Sequence, residues 1–514
     1  MKVLVTGGTG VVGTAAVLCL LDSGHDVRLL SRHAVRDCDQ WAKGVEPREG
    51  TVSDPDQVKG AADGCDAVLH IAGIVAEAPP DVTFESVNVR GTRNMIAEAE
   101  RAGARRFVFV SSLGAGRGTS AYHRSKRAAE ELVEAMDADW VICRPGNVYG
   151  PGDEVISLIL RMVRTLPAVP VIDDGRQAFQ PIWAEDAAAA LVRAVEREDL
   201  SRVVLELAGA ETTCMTDLLD RLERLTGRTP LRVPLPGWLA SAGASLASTL
   251  GVETPATVDQ ITMLLEGNVI AEGKENALTD VLGVEPTPLD EGLAVLVDVV
   301  PEQLPDEGFG PLRLRRYWTT IIGSRLGASQ LLARVRERFA ELVPRATMNL
   351  DVEPGTPSRV EEGATLTIAL PLRGTIQVRV EELTEHAFTC VTLEGHPMAG
   401  AITFQAEELA DALRFEVRTI DRPATVPDLL ALSTVGRRLK HRTWRTLIEN
   451  VIRESGGTAP DGIYRTSTAL EATESQRMEA WMRGLVMARK RKEGERRRVS
   501  ESGDESGVSD QGSG

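Results

Sequence analysis

The 514 residues carry a formal net charge of −17 on a composition that is 43% apolar, 26% charged and 4% aromatic. That balance describes a globular chain with length for two or three domains; its negative excess argues against nucleic acid as a partner, because phosphate binding needs a basic surface. The six cysteines (Cys19, Cys38, Cys65, Cys143, Cys214 and Cys390) include no pair at C-x-x-C spacing, which excludes a zinc ribbon or dithiol redox motif and predicts reduced core residues of a cytoplasmic protein without a metal.

Lys2–Thr6 is a β-branched run that leads straight into glycines, so the first residues read as structure and not as a leader. A helix is predicted from Val11 to Ser23, then strands at Asp26–Leu30, Ala67–Ile71, Arg106–Val110 and Trp140–Cys143, with helices at Val89–Ala102 and Ser125–Met136. Alternating strands and helices give an α/β fold, a doubly wound parallel sheet of the Rossmann type. Beyond Arg144-Pro145 helices are predicted near 154–166, 186–197 and 215–226, and a loop over 231–240; these form a small cap within residues 150–300. No apolar stretch approaches the roughly 20 residues that span a bilayer.

Residues 301–314, with three prolines, read as a linker. A helix is predicted over 319–339. Strands follow at 364–371, 375–380, 388–393, 401–405 and 413–419, then a long helix over 427–454. That order is α+β with an antiparallel sheet, giving a second domain at 315–456. Residues 457–514 are highly charged and Ser/Gly-rich and are expected to be largely disordered.

The chemistry-bearing motifs lie early. Thr6-Gly7-Gly8-Thr9-Gly10-Val11-Val12-Gly13 follows a strand and opens a helix. In such a loop Gly7 permits the tight turn, Gly10 lets backbone approach a pyrophosphate, and Gly13 lets helix pack on strand. An acid at the end of the second strand would bind the ribose hydroxyls of NAD. Leu30-Ser31-Arg32 stands there instead, and Arg32 and Ser31 suit the 2′-phosphate of NADP, which is therefore expected in preference to NAD. Tyr122 and Lys126 lie four apart on one helix, behind Ser111-Ser112 at a strand end. Lys126 is expected to lower the tyrosine pKa, Tyr122 to exchange a proton with a substrate oxygen, and Ser112 to orient that oxygen.

With V-L-H-I-A-G at 68–73, V-N-V-R-G-T-R-N at 87–94, R-P-G-N-V-Y-G-P-G at 144–152 and Q-P-I-W-A-E-D at 180–186 added in order, residues 1–300 resemble an extended or atypical short-chain dehydrogenase/reductase. The subgroup it resembles contains the NADPH-binding accessory subunit of respiratory complex I. The resemblance implies that Thr6, Val11, Val12, Ala72 and Gly73 line the cofactor, that Val52 contacts adenine, that Asn88 supports the helix bearing Tyr122 and Lys126, and that Pro145 and Val148 border the nicotinamide. Two positions depart from the family. Gly50-Thr51 lacks the usual aspartate before Val52, and only ten positions separate Ser112 from Tyr122, a short connection for a sugar-nucleotide enzyme.

Residues 315–456 resemble the helix-grip domains, which implies an apolar ligand between sheet and helix; a solid core is the alternative. The basic run Arg489–Lys492 with Arg496–Arg498 suggests weak contact with anionic membrane, peripheral to a cytoplasmic location. Three functions follow as expectations: an NADP-dependent oxidoreductase or epimerase-like enzyme for a small hydrophobic alcohol or carbonyl compound, a non-catalytic NADPH-binding assembly or sensor protein, or either joined to a lipid carrier. A homodimer is a further expected partner state.

Overall fold

In β1 (Lys2–Thr6) side chains alternate across the pleat: Val3 and Val5 enter one hydrophobic layer and Leu4 the other. A strand buried on both faces must lie inside a sheet covered on both sides. The computed structural model, which describes residues 1–38, 41, 44–238, 267–345, 348–350, 359–370, 374–425, 428–429 and 437–505, shows that arrangement. The chain divides into two compact units. The first is Met1–Val163, Ala168–Arg224 and Thr229–Val297; the second runs from Asp298 and includes Arg164–Pro167 and Leu225–Arg228.

The first unit holds β1, β2 (Asp26–Ser31), β3 (Val45–Glu49), β4 (Ala67–His70), β5 (Arg106–Val110), β6 (Asp139–Pro145) and β10 (Val203–Leu207) in one sheet, ordered β3-β2-β1-β4-β5-β6-β10. All pairings are parallel. Strand order reverses between β1 and β4, so a crevice for ligands opens beyond their carboxyl ends. Helices α1 (Val11–Asp22), α2 (Ala34–Asp37), α3 (Pro55–Val58), α4 (Arg90–Ala102), α5 (Ala121–Glu134), α6 (Ile156–Thr165), α7 (Ala184–Glu196) and α8 (Met215–Thr226) complete the layers and the cap. Val17 and Leu20 of α1 meet Leu191 and Val195 of α7 in one core; Met95 and Ala99 of α4 meet Ala129 and Val133 of α5 in the other. Each of these valine, leucine and methionine side chains, fully buried, contributes about 1.5–3 kcal/mol.

Several expectations shift. β3 and β10 were not predicted: β3 is the polar, largely exposed edge strand Val45-Glu46-Pro47-Arg48-Glu49, which carries no hydrophobic signature. The segment 231–240, expected as a loop, contributes β11 (Leu231–Leu235), which pairs in parallel with β8 (Ala168–Ile172) despite Pro234. A two-stranded sheet has only edge strands, where proline costs little. The two-residue strands β7 (Val148–Tyr149) and β9 (Ile182–Trp183) pair beside the main sheet.

The second unit is a seven-stranded sheet ordered β13-β14-β15-β16-β17-β12-β18, antiparallel at every pairing. Its strands are β12 (Arg313–Ile322), β13 (Thr365–Leu370), β14 (Gly374–Leu383), β15 (Ala387–Thr392), β16 (Met398–Leu409), β17 (Ala412–Pro423) and β18 (Tyr464–Ala469). The helix expected over 319–339 is corrected. Arg313–Ile322 is a strand whose Tyr317, Thr319 and Ile321 are buried, a period of two, and the helix begins only at Ala328. The long helix is seen as Arg437–Ser455, and the expected start near 427 lies outside the described residues.

Residues 301–314 are not a free linker. Glu302 bridges to Leu393, Gln303 N donates to Thr392 O at 2.7 Å, Phe309 N donates to Pro423 O at 2.8 Å, and Leu312 is buried. The region from 457 is likewise ordered where it is described. β18 pairs with β12. Met482 of the helix Ala472–Glu505 packs with Leu312, Val391, Ala401 and Ile420, and Arg489 Nε donates to Glu381 at 2.7 Å. Charge made this stretch read as solvated, but several of its charges meet partners within the unit: Lys490 pairs with Glu302 and Lys492 with Glu362. Among the described residues no helix is long and apolar enough to cross a membrane.

Candidate functional site

The glycine loop leaves β1 at the crevice. Gly7 has φ +72°, and a Cβ there would sit 2.6 Å from Ala72 N; a Cβ at Gly13 would collide with the Gly7 carbonyl. At Gly10 the nearest heavy atom to such a Cβ is Gly7 O at 3.6 Å, so the backbone there faces open space. A turn closed to side chains on the protein side and open beside Gly10 fits a pyrophosphate seated on the first turn of α1, Val11 and Val12.

A chain of hydrogen bonds runs behind this loop to α5. Ala72 N donates to Thr6 Oγ1 (3.3 Å), and Thr6 Oγ1 meets His70 Nδ1 at 2.7 Å. His70 Nε2 lies 3.1 Å from Thr92 Oγ1, which donates to Asn88 O at 2.6 Å. Because the Thr92 proton is spent on that carbonyl, His70 carries its proton on Nε2 and accepts from Thr6. Burial, and then the Lys126 charge, hold His70 at about 3, so it is neutral. Asn88 Nδ2 donates to Ser125 Oγ (2.9 Å), which donates to Tyr122 O (2.7 Å). Asn88 also clamps Ile74 through its N–H (2.9 Å) and its carbonyl (3.1 Å). Thr6 therefore points inward to His70 rather than into the crevice, and Asn88 bonds the helix of Tyr122 and Lys126.

Helix α5 starts at Ala121, four residues earlier than expected, because Ser120 caps it by accepting from His123 N at 3.2 Å. This puts Tyr122 in the first turn and Lys126 in the next. Ser112, buried just beyond β5, lies close to the Tyr122 side chain and acts to lower its pKa. The Tyr122 ring packs near Phe84 and His123. Lys126 is buried; its Nζ donates to Val110 O at 2.9 Å and lies 5.2 Å from the Phe109 ring centroid. A Cβ at Gly73 would sit 2.8 Å from that Nζ, so Gly73 and Lys126 share one wall.

Burial pushes Tyr122 up to about 12, partly offset by Ser112, and pulls Lys126 down to about 8 against the upward pull of Glu130. The expected lowering of the tyrosine by Lys126 is thus not present: burial governs the shift, Ser112 alone opposes it, and the ammonium is turned to the Val110 carbonyl. Below the pair, the fully buried Glu130 accepts from Ser111 Oγ (2.6 Å) and takes Arg144 through two bonds (2.8 and 2.6 Å).

The remaining candidates ring this centre. Pro145 is buried at the end of β6 and Val148 half-buried at the start of β7. Val52 packs against Gly91, and its carbonyl accepts from Asn94 Nδ2 at 2.9 Å. Arg32 is exposed just beyond β2. Three residues were missed. His70 and Glu130 read as a strand residue and a helix-surface acid, and only their tertiary partners reveal them. Asp37, which accepts from the Ser31 hydroxyl, lies past the strand end where an acid was sought.

These features define a Rossmann-fold protein of the NAD(P)-binding kind. Residues 3–205 match the model of the NAD dependent epimerase/dehydratase family, and the chain belongs to that family. Residues 324–449 match DUF1990, a domain of unknown function. The chain is 34% identical over 250 residues to ceramide reductase of Caulobacter vibrioides, covering 47% of this chain and 76% of that one. It is 30% identical over 271 residues to sterol demethylase protein B of Methylococcus capsulatus, covering 49% and 82%. It is 28% identical over 244 residues to mitochondrial subunit 9 of the NADH dehydrogenase 1 alpha subcomplex of Rattus norvegicus, covering 47% and 64%. The first unit is an oxidoreductase domain of this family.

Proposed function

We propose that the first unit exchanges hydride between NADPH and a hydrophobic alcohol or carbonyl compound, with Ser112, Tyr122 and Lys126 as the proton relay. The observation that carries this reading is the nearness of Ser112 to the Tyr122 side chain, with Lys126 one turn further on α5 and the glycine cradle across the crevice. The bound nicotinamide supplies the hydride in the reductive direction. Ser112 then holds the carbonyl oxygen, and Tyr122 Oη gives it a proton as it becomes a hydroxyl; in oxidation the proton returns to Tyr122. Lys126, its pKa pulled down to about 8 by burial, would hold a ribose hydroxyl and stand one turn behind Tyr122. Arg32 offers the guanidinium that favours a 2′-phosphate. Gly7, Gly10, Val11, Val12 and Gly13 would hold the pyrophosphate, Val52 the adenine, and Ala72, Gly73, Pro145 and Val148 the nicotinamide side. The named substrates of two relatives, a ceramide and a sterol, favour a lipid-like molecule over a polar one.

The second unit reads as a helix-grip fold, supported by an antiparallel sheet with the helix Arg437–Ser455 in the same core. Phe339, Phe388, Phe404 and Trp444 pack ring on ring within that layer, stacked between Phe388 and Phe404 and edge to face elsewhere, which supports a packed core over a ligand chamber. A non-catalytic role is the second reading, favoured by the likeness to a respiratory-complex subunit and by the high tyrosine pKa. The test is the full chain with NADPH and a panel of long-chain keto-lipids and keto-sterols, followed by absorbance of the reduced nicotinamide. Turnover of an apolar ketone is expected. No turnover of any member, with NADPH bound, would favour the second reading.

A further inference from the structure

The adenosine end of the crevice holds a carboxylate that sequence position did not reveal. Thr6 pairs with Leu30, so Ser31 stands one residue further along β2, level with the glycine loop. In Rossmann folds this is where the adenosine ribose meets the chain. Ser31 Oγ donates to Asp37 Oδ2 and itself accepts from His33 N at 3.3 Å. Asp37 belongs to the short helix α2, its side chain is 12% exposed, and Arg36 grips it through Nε (3.2 Å) and Nη2 (3.1 Å).

We propose that Asp37 is a second determinant of cofactor choice, opposing Arg32, so that the chain accepts NADH as well as NADPH. A serine hydroxyl has one proton. Here that proton is committed to Asp37, so Ser31 donates to a 2′-phosphate only after the carboxylate lets go. Asp37 accepts from a ribose 2′-hydroxyl and repels a phosphate dianion, whereas the exposed Arg32 does the reverse. Specificity is the difference between two affinities, and a repulsive element beside an attractive one narrows it. Arg36, whose guanidinium meets the same carboxylate, reduces that repulsion.

This inference rests on Arg32 being the phosphate-binding cation. The experiment therefore separates the two residues. The unchanged full chain, Arg32→Ala, Asp37→Asn and Ser31→Ala are each titrated with NADPH and with NADH by calorimetry, after a thermal melt confirms folding. The unchanged chain is expected to bind both dinucleotides within roughly tenfold of each other. Asp37→Asn should strengthen NADPH by roughly tenfold and weaken NADH several-fold, while Arg32→Ala should weaken NADPH alone. Ser31→Ala, which takes away the hydroxyl that holds the carboxylate, should shift the ratio less than Asp37→Asn. If Arg32→Ala lowers NADPH affinity and Asp37→Asn leaves the ratio unchanged, the inference is wrong and the cofactor reading stands. If Arg32→Ala changes neither affinity, or if neither dinucleotide binds, both are overturned.

Discussion

Two lysines, Lys126 buried and Lys440 half-buried, show how differently the two units use charge. Lys126 of the first unit gives its ammonium to a backbone carbonyl, Val110 O at 2.9 Å, in the crevice wall. Lys440 of the second unit gives its ammonium to the Asp421 carboxylate at 2.6 Å, and Arg315 Nη1 reaches the same carboxylate at 2.6 Å. The pattern extends beyond the pair. In the second unit Glu302 meets Arg379, Arg489 and Lys490, Glu381 meets Arg489, and Glu416 meets Arg316 through two bonds of 2.7 Å. Charge there is neutralised in place and holds strands and a C-terminal helix together. In the first unit burial displaces both Tyr122 and Lys126 toward their neutral forms, and it brings Lys126 down to about 8, close to neutral pH. The lesson is that burial alone does not mark a functional charge; burial without a committed counter-charge does.

The comparison breaks first, and most visibly, in the paired unit. Arg489→Met leaves Glu381 and Glu302 short of a buried cation, which typically costs about 3–5 kcal/mol. Calorimetry of the full chain should show an early transition for the second unit, with NADPH affinity unchanged. A loss under 1 kcal/mol would mean that the remaining cations re-pair and that the helix Ala472–Glu505 is not held by this cluster.

A smaller effect of opposite sign is expected in the first unit. Lys126 has its folded pKa pulled from 10.5 to about 8, so the fold disfavours its charged form. The penalty is fully present below pH 8 and is relieved as pH rises from 8 toward 10.5, where the unfolded chain binds the proton that the fold releases. Lys126→Met should therefore gain about 2–3 kcal/mol near pH 7, and the gain should shrink above pH 8. Chemical denaturation at pH 7 and pH 9.5 measures it; a pH-independent difference would show that Lys126 is not desolvated.

His70 sharpens the picture at the acid end. Its folded pKa of about 3 lies below the ordinary 6.5, so its contribution is intact above 6.5 and is lost as pH falls toward 3. Between pH 6.5 and 5 the native chain should lose about 2 kcal/mol more than His70→Gln, at about 1.4 kcal/mol per pH unit. Parallel denaturation curves at pH 6.5 and 5.0 decide the point, and equal losses would place His70 in a solvated site.

Much of the first unit was legible because its signals are local. The glycine loop, five of the seven sheet strands and the Tyr122–Lys126 spacing all lie within short windows. What escaped depends on distant partners. β3 is an edge strand with exposed side chains, so its hydrogen bonds to β2 hold it and hydrophobicity does not announce it. Arg313–Ile322 was merged into a helix because its apolar end abuts the helix from Ala328, and only the alternation of Tyr317, Thr319 and Ile321 separates the two. The charged C-terminal stretch read as solvated because the acids that pair with it lie about 110 to 190 residues earlier, a separation no local pattern encodes. At the site, Ser112, Tyr122 and Lys126 were visible as residue types in order, whereas the His70 and Asn88 chain behind them exists only through side chains from β4, the turn Glu85–Val89, α4 and α5 meeting in space.

The central claim is that the uncommitted pair in the first unit is chemical and not structural. Tyr122→Phe tests it most directly, once a turned-over ketone is in hand, by measuring NADPH affinity and kcat on the same preparation. The account predicts unchanged affinity and turnover lower by about 10²–10⁴-fold, the loss expected when a general acid is removed. An enzyme whose kcat ignores the substitution would contradict it.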